Sequence, residues 1–225
     1  MKRGYRTMRE QETAFIGKIT AGVTHEFMNV LATIRENSGL MEDLLALCRE
    51  TSFPHREKFA KTLIIIQKQV NRGMEISARL NKFAHSMDEP KARVEVNELL
   101  DQLAFLVQRF ARLKQVQLTV NPVEPPLAIC IDLFRLQLIL VACLEYCLDH
   151  TASGGVITLQ SQKTSQGIAI QSVTQPGSSL TENADTLPDE LAGLQEVLEA
   201  LGARLIPLST PGQKGLELIL PLNNE

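Results

Sequence analysis

The sequence predicts an α+β protein in which an N-terminal long helical hairpin, residues 1–89, forms a dimeric four-helix bundle and is followed by an α/β sandwich, residues 90–225. Three observations point there. From Met8 to Glu50 there is no proline, and apolar side chains recur at Phe15, Ile19, Val23, Phe27, Val30, Ile34, Met41, Leu44 and Cys48, in steps of three, four or seven. A second stretch, Arg56 to Met87, repeats that period. From Pro90 onward the pattern changes to short strands alternating with helices.

The first periodic stretch reads as one helix on the order of 60 Å long, well beyond an ordinary globular helix and suited to a bundle or coiled coil. Ser52-Phe53-Pro54 breaks it. The second stretch places Leu63, Ile66, Val70, Met74, Ser77, Leu80 and Ala84 on one row, flanked by Phe59, Ile65 and Phe83. Two long helices joined by a short break form an antiparallel hairpin. A lone hairpin buries only part of each apolar stripe, and a second copy of the same hairpin covers the rest, hence a homodimer. Asp88-Glu89-Pro90 closes this region.

Beyond it, the sequence predicts a strand at Arg93 to Val96, a helix from Asn97 to Lys114, strands at Val116 to Val120 and Leu127 to Ile131, and a helix from Asp132 to Asp149. After Gly154-Gly155 come strands at Val156 to Gln160 and Ile168 to Val173. A loop rich in Pro, Gly, Ser and Thr then runs to Pro188, ahead of a helix at Asp189 to Leu201 and strands at Arg204 to Leu208 and Leu216 to Leu220. One mixed sheet with three helices is expected.

Composition narrows the function. With 44% hydrophobic and 22% charged residues the chain is neither disordered nor fibrous. A formal net charge of −3 gives no electrostatic footprint for nucleic acid, and the absence of Trp leaves little for base stacking. No apolar run approaches the ~20 residues that cross a bilayer, and Met1 to Arg6 leads into no apolar signal core, so no membrane insertion and a cytoplasmic location are expected. Cys48, Cys130, Cys143 and Cys147 lie in apolar periodic segments without CxxC spacing and read as reduced packing residues.

The chemistry concentrates in Gly22-Val23-Thr24-His25-Glu26-Phe27-Met28-Asn29-Val30-Leu31. On a helical wheel His25 lies about 200° from both Val23 and Phe27, so it points away from the buried row, and Asn29 follows one turn later on the same side. An exposed neutral imidazole is a competent nucleophile when a carboxylate accepts the proton of its other nitrogen, the part that adjacent Glu26 is placed to play. Asn29 offers an amide that can orient water or a phosphoryl oxygen. The alternative, a solvated helix face, stays open on pattern alone. A zinc site of the His-Glu-x-x-His type is not indicated, because the fifth residue is Asn29 and His55, His85 and His150 form no second pair at helical spacing.

Phe15 to Leu31, with its small-residue approach, His-Glu, an Asn at the fifth place and a following Leu, resembles the phospho-acceptor box of bacterial sensor histidine kinases. The resemblance implies His25 as phospho-acceptor, Glu26 as its acid/base partner and Asn29 as the residue that positions water in dephosphorylation. Val30 departs from it, standing where the family usually has a helix-bending proline. The remainder is similar to the ATP-binding domain of the same kinases: Asp132 to Leu140 before a helix and Gly154 to Ile157 into a strand frame the asparagine box. Within that frame Ala142 and Tyr146 replace the two asparagines that would face nucleotide and magnesium. Thr174-Gln175-Pro176-Gly177-Ser178 stands in place of Asp-x-Gly-x-Gly, and the Gly-rich phosphate loop is reduced to Ala192-Gly193-Leu194. No Lys or Arg occurs between Lys163 and Arg204, whereas Glu182, Asp185, Asp189, Glu190, Glu196 and Glu199 do, a field that repels a triphosphate.

An acceptor box without its nucleotide boxes resembles the dimeric histidine phosphotransferases of bacterial phosphorelays. The resemblance implies a response-regulator receiver domain as partner, Mg2+ supplied by that receiver, no cofactor on this chain and loss of ATP binding. A run of basic residues, Arg56, Lys58, Lys61, Lys68, Arg72, Arg79 and Lys82, stands ready to attract an acidic receiver or is simply a solvated face. Two other readings remain at this point: a non-catalytic pseudokinase or scaffold, and a divergent histidine autokinase, which Ala142, Tyr146 and Thr174 disfavour.

Overall fold

The computed structural model describes residues 8–47, 55–88, 91–174, 188–210 and 213–221. Helix α1 spans Met8–Ala46, and α2 spans Arg56–Ala84 before a single 3-10 turn, His85–Met87. The predicted tail of the first helix at Cys48 and the Ser52-Phe53-Pro54 break lie outside the described residues. The described residues form two compact units: one is Thr20–Lys82, and the other joins the described residues up to Ile19 to those from Phe83 onward.

In the Thr20–Lys82 unit, α1 buries Val23, Val30 and Leu44, and α2 buries Thr62, Gly73 and Ile76. This corrects the predicted row on α2. Leu63, Val70, Met74, Ser77 and Ala84 are exposed, while the shielded positions are Phe59, Thr62, Ile66, Gln69, Gly73, Ile76 and Leu80, a heptad-like seam. Thr62, Gln69 and Gly73 interrupt the apolar members of this seam, so its periodic signal in the sequence is weak. Thr62 resolves its hydroxyl by donating to the Lys58 carbonyl at 2.9 Å, and Gly73 has no side chain to register. On α1, Phe27 likewise sits at the surface, 38% exposed.

The second unit begins with an aromatic cluster. Phe15 packs edge-on against Phe83 with ring centroids 5.4 Å apart and lies 5.5 Å from Phe134. Lys18 pairs with Glu145 and places its ammonium 5.3 Å from the Phe110 ring centroid. These contacts explain why residues up to Ile19 cluster with the sandwich.

The expected single sheet is two. Strands β1 (Ala92–Glu95) and β3 (Ala128–Ile131) form an antiparallel pair with Arg93 opposite Cys130. A five-stranded sheet runs in the order β2 (Gln117–Asn121), β4 (Val156–Thr164), β5 (Gly167–Thr174), β7 (Gln213–Pro221), β6 (Arg204–Thr210). Only β2 and β4 are parallel, Gln117 facing Val156, because a helix lies between them in sequence. Helices α3 (Val96–Leu113) and α4 (Leu133–Asp149) pack on this sheet, meeting Ile157, Leu159, Ile168, Ile170, Leu216 and Leu218 of the core. Glu95 caps α3 by accepting from the backbone of Asn97 (2.8 Å) and Glu98 (3.0 Å), and Asp132 caps α4 through Arg135. The predicted helix at 189–201 starts as a 3-10 segment, Asp189–Leu194, and becomes α5 at Gln195–Leu201. Gly193 weakens α-helix formation in that first part.

Helix α4 is apolar nearly all round, as a core helix is. Burial pushes the Cys143 thiol well above its ordinary value and that of Cys147 up to about 12. Thiolate is the reactive species. Both cysteines are therefore expected to resist alkylation at pH 8 in the folded chain and to react at once in denaturant, checked by thiol titration with mass mapping. Among the described residues, no helix is long and apolar enough to cross a membrane.

Candidate functional site

The candidate site lies on the Thr20–Lys82 unit, built from one face of α1 and one residue of α2. His25 and Asn29 are both exposed on α1, one turn apart. The helix runs through Val30 without interruption. Past it, the Asn29 carbonyl accepts a hydrogen bond from the Thr33 hydroxyl at 2.9 Å and the Thr33 carbonyl accepts one from the Asn37 amide at 2.8 Å. The imidazole is thus presented to solvent on a regular, rigid support.

Glu26 sits differently. Consecutive residues on a helix do not share a face. Its side chain is only 13% exposed, and its carboxylate accepts a hydrogen bond from Arg72 Nη2 of α2 at 2.6 Å, a charge-assisted contact across the hairpin. In the sequence Arg72 is one of a row of basic residues, with nothing local to tie it to Glu26, 46 positions away. Two others of that row pair within α2: Lys61 with Glu57 (2.7 Å) and Arg79 with Glu75 (3.0 Å).

The approach of the two helices at this level depends on Gly73. A Cβ built there would lie 3.3 Å from Val30 Cγ1 and 4.0 Å from Phe27 Cε2, so the missing side chain lets Val30, 2% exposed, press against the α2 backbone. Val30 acts as a knob in the Gly73 hole. Gly73 is the one glycine between Arg56 and Ala84, and that was the signal available in the sequence.

The nucleotide-box positions belong to the other unit. Ala142 is half-buried on α4. Tyr146 is buried, its ring stacked on His150 with centroids 4.2 Å apart. His150 Nδ1 is 2.8 Å from the Tyr146 carbonyl, which can only accept, so Nδ1 carries the proton. Thr174 is buried with its hydroxyl donated to the Lys214 carbonyl at 2.9 Å. Asp189, Glu190, Glu196 and Glu199 are exposed, and Leu191 and Leu194 buried. Gln175 to Ser178, Glu182 and Asp185 lie outside the described residues. Among the described residues, no three His, Cys, Asp or Glu side chains gather where they could hold a metal ion.

No family model matches the chain. It is 22% identical to the sensor histidine kinase ZraS of Klebsiella oxytoca over 97% of its own length and 49% of that protein's, so it spans about half of the curated relative. Among solved structures, the histidine kinase AdeS of Acinetobacter baumannii aligns over 89% of this chain and 98% of its own, with 12% identity and a TM-score of 0.50. A histidine kinase of Burkholderia phymatum aligns over 89% and 97%, with 14% identity and a TM-score of 0.47. In fold the chain resembles histidine kinases, with helices leading into an α/β domain like their ATPase domain.

Proposed function

We propose that the chain is a histidine phosphotransfer protein of two-component signalling, relaying a phosphoryl group between response-regulator aspartates through His25. The observation that carries the reading is the contrast between two sets of positions. His25 and Asn29 keep acceptor chemistry on an open helix face with Glu26 held against α2, whereas Ala142, Tyr146 and Thr174 offer no carboxylate or amide for magnesium and adenine.

In the transfer step, the lone pair of one imidazole nitrogen forms the P–N bond. The P–O bond to the receiver aspartate breaks, and its electron pair stays on the leaving carboxylate. The proton on the second ring nitrogen faces a hydrogen-bond acceptor, the role assigned to Glu26. Magnesium and the acyl phosphate belong to the receiver, and the chain supplies an aligned nucleophile. Asn29 orients a phosphoryl oxygen or, in hydrolysis, water.

Exposed Leu63, Val70 and Met74 on α2 and Phe27, Leu31 and Leu45 on α1 support the homodimer. A second copy packed on these side chains would remove them from water. Light scattering at micromolar concentration is expected to return twice the chain mass; the monomer mass would refute the four-helix bundle.

Incubation with radiolabelled phospho-receivers tests the function. Acid-labile, base-stable label should appear on this chain and vanish in His25→Ala. Labelled ATP with magnesium should leave the chain unlabelled, and label from ATP would establish an autokinase instead. A receiver that binds without transferring label would establish a scaffold.

A further inference from the structure

The Arg72–Glu26 contact gives the proposed site a second layer. Glu26 cannot reach its role by helix geometry alone, since neighbouring residues on α1 diverge by about 100° and side chains one apart do not face each other. A Glu side chain with three rotatable bonds at a helix surface samples many rotamers, and confining it has an entropic cost. Here the confinement comes from α2: Arg72 Nη2 stands 2.6 Å from Glu26 Oε2, and the carboxylate is 13% exposed against 44% for the arginine. The pair bridges residues 46 apart in sequence. It forms where Gly73, next to Arg72, admits Val30 to 3.3 Å of the position a Cβ would take. A glycine inside a helix is less stable than an alanine, and here it is the position at which the two helices come close.

We infer that Arg72 is a positioning residue of the transfer site: by gripping the Glu26 carboxylate, on the residue next to His25 in α1, it fixes the negative charge that is to meet the positive charge developing on the imidazole during P–N bond formation. Arg72 does not touch the reacting atoms. Its planar fork fits this task, because it grips a carboxylate in one geometry, whereas a lysine ammonium at the same place is a point charge on a flexible stem. The inference rests on the phosphotransfer reading and is separable from it by experiment.

The test uses the full chain and two phosphoryl donors, a phosphorylated receiver and potassium phosphoramidate, a small donor with no docking surface. Arg72→Ala is expected to lower the maximal rate of His25 labelling roughly tenfold with both donors, the scale of one charge-assisted hydrogen bond, while leaving the half-saturating receiver concentration unchanged. Arg72→Lys should recover only part of the loss. The double variant Arg72→Ala with Glu26→Gln should be no slower than Glu26→Gln alone, since the arginine acts only through that carboxylate. Circular dichroism and light scattering confirm that each variant keeps its fold and mass.

Labelling slowed only with the receiver, or a raised half-saturating concentration at unchanged maximal rate, would make Arg72 a docking residue and overturn the inference. Multiplicative losses in the double variant would overturn it too. Wild-type labelling with Arg72→Ala unchanged overturns this inference alone, and a wild type that takes label from neither donor overturns the phosphotransfer reading with it.

Discussion

His25→Ala is expected to reduce phosphoryl label on the chain to background, the largest functional effect of any single substitution. No other histidine sits on this stretch of α1, and His85 and His150 are tied elsewhere, His85 to Asp88 at 2.6 Å and His150 to the Tyr146 carbonyl. Because His25 is exposed, its removal should change stability by no more than about 0.5 kcal/mol, so lost label in a chain of unchanged denaturation midpoint is a chemical result rather than a folding one. Two neighbours refine the test. Glu26→Ala should slow labelling by about 10²-fold and leave the acceptor in place. Asn29→Ala should change mainly the decay of phosphohistidine in water, because an amide orients water but takes no proton from it. Label that persists in His25→Ala would remove this residue from the mechanism.

The largest structural effect is expected from Phe83→Ala, a loss of about 3–5 kcal/mol, the usual scale for emptying a buried aromatic site. Phe83 is 2% exposed, meets Phe15 at 5.4 Å and Phe134 at 6.5 Å between ring centroids, and presents its carbonyl to the Ser86 hydroxyl at 2.6 Å. Ser86 in turn lies 3.0 Å from the Gln137 side chain of α4. Side chains from α1 and α4, both distant in sequence, therefore converge on this ring. Urea denaturation followed by circular dichroism measures the change, and a loss below about 1 kcal/mol would mean that the cluster does not hold the chain ends of the hairpin to the sandwich.

Much of the fold was legible from local pattern. The start of α2 at Arg56, the outward placement of His25 and Asn29, and most strand positions depend on periodicity and turn residues within a few positions of each other. Asp132 announces α4 in the same way, as a side chain that reaches three residues along its own helix. What the sequence by itself determined about this protein is thus its elements and the face on which its chemistry stands. Tertiary structure alone decided which row of α2 meets α1, how seven strands divide into two sheets, and that Arg72 is the partner of Glu26. Those choices turn on shape between distant residues: the seam follows Thr62, Gly73 and Ile76 instead of the more apolar Leu63, Val70 and Met74, and at Gly73 even an added Cβ would press on Val30, 3.3 Å away. Hydrophobicity ranks faces by how much they gain on burial, whereas complementarity across the hairpin decides which face is buried there.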